Sequence, residues 1–170
     1  MTYRTVILDR DGVINEMREN YVRTPAEVSF INGSIDAVNQ LILRNINVVV
    51  ASNQSCVGRG LVSEKELANI TSFINSKFIK KLDFFYCMHS PDVNCECRKP
   101  KGGLINEIKS KYPGPYLFVG DNVSDFEASQ ISGVDFALVK TGYGKNFSIQ
   151  LTQKCHIYNS LFDCVRNNNT

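Results

Sequence analysis

The chain has 170 residues, 43% of them hydrophobic and 21% charged, with a formal net charge of +2. That length fits a single domain over residues 1–170 with a core that needs no disulfide staples, and the composition excludes a disordered chain. No apolar run approaches the roughly 18 residues of a membrane span, and the balanced charge offers no broad cationic field, so neither membrane nor nucleic acid is expected as a partner.

Tyr3 to Leu8 is a β-branched and apolar run ending at Asp9, the pattern of a buried strand that opens into a polar loop. Met1 leads into that run without the charged start and cleavage site of a secretory signal, so a cytoplasmic location is expected. After a polar loop from Asn15 to Ser29, the residues Ile35, Val38, Leu41 and Ile42 recur at helical spacing, and Asn47 to Ala51 reads as a second buried strand ending in Ser52-Asn53-Gln54. Ser63 followed by Glu66 is a capping box, predicting a helix with Leu67, Ile70, Phe73, Ile74 and Phe78 on its apolar stripe. Leu82 to Tyr86 reads as a third strand, a Cys/His-containing loop follows, and the periodicity predicts a helix over 103–111. Pro113-Gly114-Pro115 breaks the chain before a strand at Tyr116 to Val119 that Gly120-Asp121 closes. Phe126, Ala128 and Ile131 predict a short helix, Phe136 to Val139 a last core strand, and Asn167 to Thr170 a frayed tail. Strands alternating with helices give an α/β class, a doubly wound and mostly parallel sheet that takes ligands at the carboxyl ends of its strands.

Asp9-Arg10-Asp11-Gly12 sets two carboxylates two positions apart at a strand end, where both can face one cation or phosphate. Two anions that close repel unless such a partner lies between them; the competing reading is an acidic turn stabilised by Gly12. Ser52-Asn53-Gln54, Arg98-Lys99, and Gly120-Asp121 with Asp125 also fall at predicted strand ends or just beyond, so a parallel sheet brings all of them to one edge. Together they offer a nucleophile, hydroxyl and amide donors, cations for developing charge and carboxylates for Mg2+, an inventory for phosphoryl transfer. Cys87, His89, Cys95 and Cys97 supply four ligands in an eleven-residue stretch, enough for a closed, structural zinc site, with a reduced-thiol loop as the alternative. Cys56, Cys155 and Cys164 read as indifferent thiols, and Gly58, Gly60, Gly142 and Gly144 as turn glycines. A second anionic group on a substrate would call on Arg59, Arg98 or Arg18.

Asp9-Arg10-Asp11-Gly12-Val13, the Ser52 strand end, Lys99 and Gly120-Asp121-x-x-x-Asp125 resemble, in order, the four motifs of the haloacid dehalogenase superfamily of phosphatases. Within it, the stretch from Leu8 to Asn15, Asn53-Gln54-Ser55-x-x-Gly58-Arg59-Gly60 and Cys97-Arg98-Lys99-Pro100 resemble the heptose 1,7-bisphosphate phosphatases, over about residues 3–140. The resemblance implies that Asp9 is the nucleophile, forming an aspartyl phosphate, and that Asp11 is first the acid for the leaving sugar oxygen and then the base for water. It further implies Mg2+ held by the Asp9 side chain, the Asp11 backbone carbonyl and Asp121, with Ser52 holding the phosphoryl group, Lys99 balancing its charge, and zinc in the Cys/His loop. Asn53, Gln54, Ser55, Arg59, Arg98, Tyr21 and Asn122 are the expected substrate contacts. The implied activity is Mg2+-dependent removal of the C7 phosphate of D-glycero-D-manno-heptose 1,7-bisphosphate, on the way to nucleotide-activated heptose for surface glycans.

The gaps between the motifs leave no room for a cap domain, so an open site is expected, with a small phosphorylated sugar as its partner and a monomeric state. Asn122 stands where these phosphatases commonly carry Lys, and Asn20-Tyr21 follows an apparent one-residue insertion, which leaves the C1 anomer open. Histidinol-phosphate phosphatase shares the aspartates and the zinc loop and is the alternative substrate reading. A phospho-receiver domain also joins an acceptor Asp, a hydroxyl and a Lys on a doubly wound sheet, but its acceptor follows an inner strand and it lacks an Asp11-like carboxylate and a zinc loop.

Overall fold

Six short runs of β-branched and aromatic residues pair in parallel into one sheet, and helices cover both of its faces. In the computed structural model, which describes residues 3–151 and 155–167, the strands are β1 (Thr5–Leu8), β2 (Asn47–Asn53), β3 (Asp83–Cys87), β4 (Tyr116–Gly120), β5 (Asp135–Val139) and β6 (His156–Tyr158), ordered β3-β2-β1-β4-β5-β6. The helices are α1 (Ser34–Leu43), the single turn α2 (Ser55–Gly58), α3 (Glu64–Asn75), α4 (Gly103–Lys111), α5 (Val123–Ser132), α6 (Gly144–Leu151) and α7 (Leu161–Asn167). β1 is buried along its whole length, as expected of a parallel strand covered on both faces. Alternate residues feed two cores: Val6, Leu8, Val48 and Val50 meet Leu41, Ile70, Ile74 and Leu161 on one face, and Ile7, Val49, Phe118 and Phe136 meet Ile105, Ile108 and Ala128 on the other.

Side-chain caps set the starts of α3 and α5. Ser63 Oγ accepts from the Glu66 amide at 3.2 Å while the Glu66 carboxylate accepts from the Ser63 amide at 2.7 Å, the reciprocal capping box, worth about 1 kcal/mol to α3. α4 covers the predicted residues, and among the described residues no segment between β1 and β3 forms a separate cap layer. No helix among them is long and apolar enough to cross a membrane.

The structure departs from the pattern reading in several places: β1 begins at Thr5 instead of Tyr3, β3 covers Asp83–Cys87 instead of Leu82 to Tyr86, and Phe78 lies beyond the end of α3 at Asn75. β2 runs on through Ser52 and Asn53, whose backbones pair with Tyr86 and Cys87 of β3. Ile131 is 66% exposed, because α5 turns Asp125, Ala128, Ser129 and Ser132 inward instead. β5 is not the last strand: β6 pairs beyond it, and α7 packs on α1 and buries Leu161, Cys164 and Val165. Asn167, expected to be frayed, closes α7, and the rest of that tail lies outside the described residues.

Candidate active site

The strand order reverses between β1 and β4, so the loops leaving the carboxyl ends of these neighbours diverge and open a crevice. Asp9 follows β1 and Asp121 follows β4, and the Asp9 amide still donates to Val119 across the pair at 3.0 Å. The crevice is a cleft of about 260 Å³ whose lining includes Asp9, Asp11, Ser52, Lys99, Asp121 and Asp125. β1 is itself an inner strand, so strand position does not separate this chain from a phospho-receiver; Asp11 and the Cys/His cluster do.

Carboxylate oxygens of Asp9, Asp121 and Asp125 lie within 4.8 Å of one another. Lys99, 3% exposed, balances them in part: its Nζ is 2.7 Å from Asp125 Oδ1 and 3.1 Å from Asp9 Oδ1, and it donates to the Ala51 carbonyl at 2.9 Å. Burial alone would lower the Lys99 pKa, but the charges of Asp125 and Asp9 raise it, so it stays ammonium. Burial pushes Asp9 up to about 6, with Lys99 opposing and Asp125 and Asp11 adding to the rise. Burial and the charges of Asp9 and Asp125 push Asp121 up to about 8. Three carboxylates against one ammonium are short of positive charge, and hard oxygen donors at this spacing suit Mg2+.

Two glycines close around Asp121. Gly12 and Gly142 have φ of 88° and 56°, and a Cβ on either would overlap Asp121 Oδ2. The Tyr143 amide donates to that oxygen at 2.8 Å, and Thr141 Oγ1 donates to the Gly12 carbonyl at 2.6 Å, tying the turn after β5 to the loop after β1. Sequence reasoning read Gly142 and Gly144 as turn glycines and missed that the turn closes on Asp121.

Asp11 is held apart from the carboxylate cluster. Arg10 grips it through Nε and Nη2, Asn15 Nδ2 donates to Oδ1 at 2.8 Å and Gln54 Nε2 to Oδ2 at 2.8 Å. Burial would raise the Asp11 carboxyl, but the Arg10 charge and these hydrogen bonds hold it below the usual carboxylate range.

Cys87 at the end of β3 and His89, Cys95 and Cys97 in the following loop converge within 4.8 Å. Sulfurs bound to one tetrahedral zinc at about 2.3 Å sit about 3.8 Å apart; Cys87 and Cys95 sulfurs are 3.6 Å apart, and His89 Nδ1 is 3.7 Å and 3.2 Å from the Cys87 and Cys97 sulfurs. Burial and the neighbouring sulfurs push Cys97 up to about 12, whereas Cys95, against its own desolvation, falls to about 7 through the Arg98 backbone and the other thiols. A metal cation would resolve that competition by ionising all three thiols.

A family model described as polynucleotide kinase 3 phosphatase matches residues 5–157, from the start of β1 into β6. The chain belongs to that family. Within the haloacid dehalogenase superfamily, this family member is 39% identical over 149 residues to a Pseudomonas putida protein named D-glycero-beta-D-manno-heptose-1,7-bisphosphate 7-phosphatase, covering 84% of this chain and 85% of that one. It is 33% identical over 135 residues to the Campylobacter jejuni enzyme named for the alpha anomer, covering 75% and 77%. The crystal structure of D,D-heptose 1,7-bisphosphate phosphatase from B. bronchiseptica, complexed with magnesium and phosphate, superposes with a TM-score of 0.90 at 31% identity, covering 96% of each chain.

The expected substrate contacts of this phosphatase-family site divide in two. Tyr21, Asn53 and Asn122 line the cleft, Tyr21 with a left-handed φ of 61° and its hydroxyl 3.4 Å from Ser55 Oγ. Gln54 does not face it: the side chain is 1% exposed and its amide donates to Asp11 and to Ser52 Oγ, so it is part of the machinery that holds these groups. Asn53 also exchanges hydrogen bonds with the Lys99 backbone, at 3.0 and 3.1 Å, fixing the end of the Cys/His loop against β2. Ser55 is buried, Arg59 is exposed at the end of α2, and Arg98 lines a neighbouring hollow with Asn94 and Lys101. Tyr143, Met17 and Ser124 join the lining without having been singled out.

Proposed function

We propose that the protein removes the 7-phosphate of D-glycero-D-manno-heptose 1,7-bisphosphate, as a single cytoplasmic phosphatase domain acting on the way to nucleotide-activated heptose. The observation that carries this reading is the meeting of Asp9, Asp11, Lys99 and Asp121 in one cleft at the sheet's switch point, in a fold matching a heptose bisphosphate phosphatase over 96% of both chains. Asp9 Oδ1 is occupied by the Arg10 amide at 2.8 Å and by Lys99, which leaves Oδ2 to attack phosphorus. The Ser52 hydroxyl and the Lys99 ammonium hold the transferring phosphoryl group, the one by hydrogen bond and the other by charge. Asp11 rests as a carboxylate; it takes up a proton from solvent before the first step, delivers that proton to the sugar oxygen, and as a carboxylate again takes one from water in the second step. Asp9 and Asp121, with the Asp11 backbone carbonyl, would hold Mg2+, which when bound neutralises charge between nucleophile and phosphate. Asp125 instead anchors Lys99 and caps α5, accepting from the Asn122 amide at 3.2 Å.

The experiment is phosphate release with Mg2+ from both anomers of heptose 1,7-bisphosphate and from histidinol phosphate at matched concentrations. A preference for either heptose anomer supports the proposal and fixes the anomer; a preference for histidinol phosphate, or no release from any of the three, rejects it.

Mg2+ is expected to stabilise the protein in a pH-dependent way. Asp9 and Asp121 have folded pKa values raised to about 6 and about 8, so the metal-free protein is favoured by their neutral forms at low pH and loses that contribution as pH rises through these values. The gain in Tm on adding Mg2+ should therefore be larger at about pH 8.5 than at about pH 5.5. Scanning calorimetry showing an equal gain at both would remove these carboxylates as the ligands.

The Cys/His cluster is assigned to a structural zinc, because four protein ligands leave no position open for water. Lys99 lies two residues beyond Cys97, so zinc would fix the segment that delivers it. Cys95→Ser is expected to lower both zinc content and turnover, the latter about 10- to 100-fold. Metal analysis beside the phosphate assay checks this, and full activity in zinc-free protein would refute it.

A further inference from the structure

Arg10 has no part in the chemistry described above, yet it is the largest of the side chains buried essentially completely among the described residues, at 1% exposure. A guanidinium that far from water is costly unless paired, and an apolar side chain would fill the space at less cost. Three hydrogen bonds join it to its neighbour Asp11: Nε to Oδ1 at 3.2 Å, Nη2 to Oδ1 at 2.9 Å and Nη2 to Oδ2 at 2.8 Å. Asn15 and Gln54 add one donor to each oxygen, and Gln54 also donates to Ser52 Oγ at 3.1 Å. The Asp11 side chain remains 23% exposed and lines the cleft; Arg10 does not reach it.

We propose that Arg10 is a positioning residue: with Asn15 and Gln54 it clamps the plane of the Asp11 carboxyl toward the cleft and keeps it from turning onto the cation site of Asp9 and Asp121. The assignment rests on Asp11 being the proton donor and acceptor. In the first step Asp11, protonated from solvent, passes its proton to the sugar oxygen as a bond forms between Asp9 Oδ2 and phosphorus and the bond from phosphorus to that oxygen breaks. In the second, water adds to phosphorus, its proton passes to Asp11, and the bond to Asp9 breaks. Both transfers need the carboxyl in one fixed orientation. A planar fork can fix it, whereas an ammonium supplies charge without a plane.

The test compares kcat/KM for heptose 1,7-bisphosphate with that for p-nitrophenyl phosphate, whose leaving group needs no proton. This parameter reads only as far as release of the first product. Arg10→Lys should lower the ratio of sugar ester to aryl ester by about 30-fold, part of the roughly 10²- to 10⁴-fold that general acid catalysis contributes. It should also produce a burst of nitrophenolate, because slowed water activation lets the aspartyl phosphate accumulate. Gln54→Leu, which removes one arm of the clamp, should shift the ratio the same way by about tenfold and carries the test if Arg10→Lys does not fold. An unchanged ratio in the folded variants overturns the clamp. Asp11→Asn is the control: if it too leaves the ratio unchanged, the role given to Asp11 fails instead.

Discussion

Asp9→Asn should lower turnover of heptose 1,7-bisphosphate by on the order of 10⁵-fold, since an amide oxygen cannot form the covalent intermediate. The fold should survive. Asn keeps an oxygen for the Arg10 amide and for Lys99, which now meet on Asp9 Oδ1. Removing one negative charge relieves a site where burial has already pushed Asp9 up to about 6. Ionised Asp9 costs stability above that pH, so the metal-free variant should melt no lower than the parent near pH 8. Phosphate release, intact-mass detection of a trapped phosphoryl group in the parent alone, and melting curves together check this. A variant that turns over at the parent's rate, with contaminating phosphatase excluded, would remove Asp9 as nucleophile.

The sequence made the central strands and the cluster of Asp9, Asp121, Asp125 and Lys99 readable because both rest on local signals. Val6-Ile7-Leu8 before Asp9, and Tyr116 to Val119 before Gly120-Asp121, are buried runs that stop at an acid, and in a parallel sheet such stops share an edge. Ser63 and Glu66 mark the start of α3 for the same reason, since both partners of the cap lie within one turn. What was not readable depends on partners distant in the chain. His156-Ile157-Tyr158 is too short to show a period and is a strand only because β5 is there to pair with it. Gln54 sits in a polar cluster in which nothing local says whether its amide meets a substrate or Asp11, 43 residues away. The same holds for Tyr143, whose amide finds Asp121 22 residues earlier. The pattern reading therefore located the acids and the cation, while the groups that orient them waited for the fold.

Lys99 is where activity and stability are most tightly joined, and Lys99→Met tests both. The ammonium is buried between Asp9 and Asp125, so its removal leaves Asp9, Asp121 and Asp125 together with no cation among them. Breaking a buried pair from one side typically costs about 3–5 kcal/mol, which for a domain of this size is on the order of 10 °C in Tm. The sign with pH follows from the survivors. Without Lys99 to oppose burial, Asp9 should rise further above about 6, so the variant should lose most stability at alkaline pH and recover as its carboxylates take up protons. Mg2+ should restore part of the lost Tm by supplying positive charge to the same oxygens, yet it should not restore turnover, because the developing charge on the phosphoryl group then lacks the ammonium. The lost ring contact adds to the cost, since the Lys99 Nζ lies 5.2 Å from the centre of the Phe118 ring. Melting curves at two pH values with and without Mg2+, beside phosphate release, separate these effects. A variant with the parent's Tm at alkaline pH would show that the three acids do not depend on Lys99, and one with the parent's turnover would show that the phosphoryl group does not.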